Sequence, residues 1–385
     1  MASLHRAGLV GLCIGTLALS GVESGRSPAA SVPSAPASLR ETGLYTDFPA
    51  RVIDPRNLPY SPQYPLWSDG AAKRRWIYIP PAATIDAADP DVWLFPAGVK
   101  IWKEFSFHDR PVETRLMVSL GEGQWRFSSY AWSADGTDAL LVPDAGLRDV
   151  VEIAPGVWHD IPGVRDCEAC HKGARQEALG FSALQLSPDR DALAPHAEAV
   201  TPEMVNLEAL MARGLIRHAP SEWKDHPPRI DAPAANARAV LGYLHANCGQ
   251  CHNPGNNLGT ASMLLRHSVA PSAQDQALAP GSAERALRTT GLPVVPATEE
   301  PAVRTTVGRP AGGYRLPDTG PGETLLVRPG DAERSALYFR MATRNPVRQM
   351  PPLGTEIVDT VAVAQVARWI REDLTAGPGS SGERD

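Results

Sequence analysis

Two pentapeptides in this chain set two thiols and an imidazole at short, fixed spacing: Cys167-Glu168-Ala169-Cys170-His171 and Cys248-Gly249-Gln250-Cys251-His252. In a C-x-x-C-H segment both sulfurs can close thioether bonds onto the vinyl groups of a haem while the adjacent imidazole reaches the iron from one face. C-x-x-C twice can also build a four-cysteine zinc site or a pair of disulfides. Each motif ends in His, and the two stand about eighty residues apart, farther than a zinc ribbon requires. The reading favoured is two covalently bound haem c groups, attached at Cys167, Cys170, Cys248 and Cys251 with His171 and His252 as iron ligands.

The sixth iron position decides what such a group does, because a thioether sulfur opposite His raises the potential and closes the site to outside ligands. Met350 is the candidate for the second group. It lies in Arg348-Gln349-Met350-Pro351-Pro352, where the prolines favour an extended loop from which a side chain can point inward. Met341 lies inside a helical pattern and reads as core. For the first group the candidates are His159, His196, Met204, Met211 and His218, and none stands out. An empty sixth position there would leave an iron open to small ligands or peroxide.

The elements that must position these residues change character along the chain. Residues 41–165 alternate short runs dense in Trp, Tyr, Val and Phe with Pro, Gly and Asp, the texture of a β-rich domain, and an antiparallel sandwich is expected. Residues 166–230 become helical and loop-like around the first motif, with a helix expected from Met204 after Thr201 as N-cap. Residues 225–235 hold Pro227, Pro228 and Pro233 and suggest a boundary. Residues 231–374 then carry the second motif. Val240, Leu241 and Leu244 form an apolar stripe running into Cys248, and Val363, Val366, Trp369 and Ile370 form another near the far end. Those two helices suit the crossed pair that packs beside haem in small cytochromes. A further helix is expected over residues 332–342 behind Asp331, and residues 270–322 read as a long surface insertion. The fold class expected is α+β and multidomain: an all-β, sandwich-like N-terminal domain, then a mainly α-helical cytochrome c region.

The ends and the composition bound the setting. Residues 1–25 pair His5 and Arg6 with an apolar run and small residues, the pattern of a cleaved secretory signal, so a periplasmic or secreted protein is expected. Residues 26–40 read as a flexible linker and 375–385 as a disordered tail. Of five cysteines, Cys13 leaves with the signal and the other four all stand in the two motifs. No later segment has the apolar length of a membrane span. A formal charge of −6 gives no footprint for nucleic acid.

The combination resembles secreted bacterial diheme c-type cytochromes of poorly defined function. The residues that carry the resemblance are Asp166 to His171 with Leu179-Gly180-Phe181-Ser182-Ala183-Leu184, then Leu241-Gly242-Tyr243-Leu244 to His252-Asn253-Pro254, Pro329-Gly330-Asp331, Met350-Pro351-Pro352, and Tyr64-Pro65-Leu66-Trp67-Ser68-Asp69-Gly70. It covers nearly the whole mature chain. It implies a haem protein outside the cytoplasm with thioethers and proximal ligands at the positions above.

The function expected is one-electron transfer between redox partner proteins, a dehydrogenase and a terminal acceptor, without chemistry of the chain's own. A diheme peroxidase or oxidase with an open first haem is the alternative. A binding module whose β-rich part holds a partner is a third. The chain has no G-x-S-x-G, H-E-x-x-H or P-loop segment.

Overall fold

The aromatic-rich stretches fold into one antiparallel sheet with small satellites. The strands are β1 (Tyr45–Asp47), β2 (Val52–Ile53), β3 (Leu58–Pro59), β4 (Ala72–Tyr78), β5 (Ile85–Asp86), β6 (Lys100–Phe107), β7 (Arg110–Gly121), β8 (Gln124–Trp132), β9 (Ala139–Leu141), β10 (Leu147–Ala154), β11 (Val157–Ile161) and β12 (Ile216–Arg217). The main sheet has the order β3-β4-β6-β7-β8-β9, and β1-β2, β10-β11 and β5-β12 pair apart from it. Tight turns set its register. His108 and Asp109 between β6 and β7, and Glu122 and Gly123 between β7 and β8, all take positive φ, the conformation that matches the twist of a two-residue hairpin.

The computed structural model describes residues 34–255, 263–270, 300–317, 319–320 and 322–375. The expected signal, most of the expected linker, much of the insertion and nearly all of the expected tail lie outside them.

Successive side chains point to opposite faces of the sheet, and both faces are covered. On one face Trp76, Trp102, Leu116, Tyr130 and Trp132 pack against Leu39, Leu44, Tyr45 and Phe48. On the other, Ile77, Ile101, Met117 and Phe127 pack against Phe181, Leu186, Leu207, Leu210 and Trp223. This corrects the expected sandwich: the layer over the second face is the turn-rich stretch at 178–223, not a matching sheet. Strand patterning shows that both faces are covered, but it carries no information about what covers them.

The helices are α1 (Val164–His171), α2 (Leu207–Ala212), α3 (Ala235–Asn247), α4 (Pro301–Thr306), α5 (Ala336–Met341) and α6 (Thr360–Arg368). Two starts differ from expectation. Helix α2 begins at Leu207 because the Asn206 side chain, not Thr201, accepts the Ala209 N–H. Helix α5 begins at Ala336, and the Asp331 carboxylate caps the preceding turn at Arg334 N. The stripes of α3 and α6 meet in one cluster that includes Val240, Leu244, Val363, Val366 and Trp369. No helix among the described residues is long and apolar enough to cross a membrane.

The described residues from Pro36 onward belong to one compact unit, in which the segment Tyr64–Gly70 is a junction. Tyr64 is buried in the helical cluster, with its ring against Gly242 of α3, where an added Cβ would lie 2.0 Å from the ring. The Trp67 N–H donates to Asn247 Oδ1 at 2.7 Å, and its indole donates to the Ile357 carbonyl at 3.0 Å. Asp69 accepts the N–H groups of Glu356 and Ile357 at 2.9 and 2.8 Å. One short loop thereby ties the sheet to α3 and to the chain just beyond Met350.

Candidate functional site

The first motif is the last turn and a half of α1, which packs beside β8. The His171 ring packs at a tilt of 50° against Phe127 of β8, with ring centroids 5.0 Å apart. Its Nδ1 lies 2.6 Å from the Glu177 carbonyl. A carbonyl only accepts, so Nδ1 carries the proton and Nε2 keeps its lone pair, the tautomer a metal ligand needs. Burial holds this imidazole down at about 4, so the ring is neutral at physiological pH.

The second motif follows α3 directly, with Cys248 as its C-cap. Its glycine is required by packing. A Cβ on Gly249 would lie 2.6 Å from the His245 carbonyl and 3.0 Å from Arg266 Cα, a consequence of chain folding that the motif spacing does not reveal. His252 is 7% exposed, and among the described residues its Nδ1 is buried without a hydrogen-bond partner. Burial, then the Arg340 charge, lowers this ring to about 4.

The two motifs are neighbours in space although far apart in sequence. The Asn253 amide donates to the Gly173 carbonyl at 3.1 Å and, on its own side, to Gln250 O at 2.8 Å. Burial, and next the Cys251 sulfur, push the Cys170 thiol up to about 11. Burial and Cys251 likewise push Cys248 up to about 12. All four cysteines are free and partly buried. Among the described residues no group of three or more His, Cys, Asp or Glu side chains is gathered to hold a metal ion.

A cavity opens between the sheet and both motifs. It holds about 1210 Å³ of atom-free space, its open mouth included. Cys167 and His171 line it from the first motif, Gly249 and Gln250 from the second, His245 from α3, and Lys103, Arg115 and Met117 from the sheet.

None of the five sixth-ligand candidates for the first motif lines this cavity. His159 Nε2 is held 3.1 Å from buried Glu113, His196 Nε2 2.8 Å from Asp359, and His218 Nδ1 3.0 Å from Asp86. Met204 and Met211 are partly buried, Met211 against the core beneath the sheet. The sheet's part of the cavity wall comes from strands upstream of the first motif. His245, which sequence reading passed over, does line it. Its Nδ1 accepts the His267 N–H at 3.2 Å, so the proton sits on Nε2.

Met350 is partly buried, and its N–H donates to Arg340 O at 2.9 Å. That bond ties its loop to α5, the helix whose Arg340 charge reaches His252. Met341 is buried in the helical cluster.

Comparisons with protein-family models, with curated proteins and with solved structures return no match.

The donor set suits a porphyrin iron. Each motif offers one neutral imidazole beside two free thiols, the first on the rim of the cavity.

Proposed function

We propose that the chain is an exported electron-transfer protein with two covalently attached haems, one at Cys167 and Cys170 with His171, the other at Cys248 and Cys251 with His252. The observation that carries this reading is the contact between the motifs, made by Asn253 and Gly173 and by the proximity of Cys170 to Cys251. Bound at these positions, haem supplies a reversible one-electron couple at each. Two such couples side by side would suit a one-electron relay.

The chain's own residues bind, orient and shield. The Glu177 carbonyl and the Phe127 ring fix the His171 plane. Apolar Ile101 and Met117 and the second motif's Gly249 wall the cavity. Helices α3 and α6, which share one apolar cluster, would form the helix pair beside the second haem, and Met350 is the residue that would supply a thioether to its iron. Partners are a dehydrogenase and a terminal acceptor, met outside the cytoplasm after removal of the leader.

The test is the mature protein made in a host with haem-attachment machinery. Intact mass should exceed the polypeptide by two haems, and a redox titration followed by spectra should resolve two one-electron steps. A colourless product at the bare polypeptide mass overturns the reading.

A further inference from the structure

Three cations stand in a row across the sheet at the cavity floor. Arg75 of β4 pairs directly with Lys103 of β6, and Lys103 with Arg115 of β7; all three line the cavity. Directly opposed like charges destabilise a sheet, so each needs an anion. Arg75 has Glu198 at 2.5 Å and Arg115 has Glu113 at 2.6 Å. Lys103, between them, makes no ion pair among the described residues, and its Nζ lies over the Phe105 ring at 4.6 Å. Burial, then the charges of Arg75, Lys73 and Arg115, hold its amine well below the usual lysine range.

The neighbouring row on the same face is apolar. Ile101, Met117 and Phe127 are register partners two residues along each strand, roughly 7 Å away. Phe127 carries the His171 ring, and the Arg115 charge reaches Cys167 and Cys170. The floor therefore presents an apolar strip beside the imidazole and a cationic strip one step beyond. A flat apolar group with a carboxylate edge fits both strips at once.

We propose that the row Arg75, Lys103 and Arg115 is a carboxylate site in which Lys103 holds a propionate of the haem attached at Cys167 and Cys170. The inference rests on the reading of the preceding section and adds the residue that sets the charge around that haem. With Lys103 neutralised, the propionate loses its cation, and its uncompensated charge favours the ferric state.

The test compares wild-type holoprotein with Lys103→Gln. Both should carry two haems by intact mass, since thioether attachment does not involve Lys103. In the variant one midpoint potential should fall while the other holds, and Lys103→Arg should return it toward wild type. Two unchanged midpoints in a two-haem Lys103→Gln protein overturn the proposal and leave the electron-transfer reading intact. Should Lys103→Gln fail to accumulate, Lys103→Met, which fills the buried position without a cation, is read by the propionate bending band in resonance Raman spectra. A shifted band for one haem supports the proposal, and an unshifted one overturns it. Absence of haem mass at the first motif overturns the electron-transfer reading and the propionate assignment together. Calorimetric titration with acetate then separates the sources: saturable binding lost in Lys103→Gln assigns the row to a free carboxylate, and no binding removes the anion site altogether.

Discussion

The side-chain amide of Asn253 donates to the main-chain carbonyl of Gly173 at 3.1 Å, joining two C-x-x-C-H segments that are eighty residues apart in the chain. The same amide reaches the Gly249 and Gln250 carbonyls at 3.1 and 2.8 Å, and the residue is 4% exposed. Asn253 is thus the clasp that sets one motif's spacing from the other.

Replacing it tests that role. Asn253→Ala leaves buried carbonyls without a donor, which costs about 1–3 kcal/mol. Urea unfolding of the variant should show the loss as a lower midpoint at unchanged slope.

Gly242 and Tyr64 should show a reversal of sign. A Cβ at Gly242 would lie 2.0 to 2.3 Å from Tyr64 ring atoms, so Gly242→Ala is expected to lose about 1–3 kcal/mol or more by overpacking. In a Tyr64→Ala background that clash is gone, and the same change should gain up to ~1 kcal/mol from helix propensity. A double-mutant cycle by thermal unfolding measures both arms. Equal effects in the two backgrounds would refute the packing account.

Acid stability depends on Glu113. Burial alone would raise this carboxyl, but Arg115 and the His159 ring outweigh it and hold it down at about 2, against an ordinary 4.5. A folded-state value below the unfolded one gives stability that is fully present above about pH 4.5 and disappears as pH falls toward 2, roughly 3 kcal/mol in all. Denaturation midpoints taken from pH 6 to pH 2 should fall through that window in the wild type. In Glu113→Gln they should start lower and fall much less.

Met350→Ala is expected to abolish the sulfur-to-iron charge-transfer band of one haem and lower that haem's potential, because the thioether favours the ferrous state. Met341→Ala should leave the band untouched while destabilising the helical core by about 2–5 kcal/mol, since Met341 is 5% exposed within it. An unchanged band in Met350→Ala assigns the sulfur elsewhere.

Local spacing alone singled out the candidate site residues: a C-x-x-C-H segment places its thiols and imidazole by covalent connectivity, whatever surrounds it. The alternation of aromatic with polar residues likewise fixed the strands of the sheet, and the apolar stripes fixed α3 and α6, because both are properties of a few consecutive residues. Tertiary structure decided what no local pattern contains. It set the motifs side by side through Asn253, drew the cavity wall from strands that precede the first motif, and laid the stretch at 178–223 over the sheet in place of a second one. It also lined up Arg75, Lys103 and Arg115, which are scattered through forty residues of sequence and become one row only when three strands pair in register. Contacts of that kind come from strand pairing and loop closure over long separations, and these are settled by the packing of the whole chain.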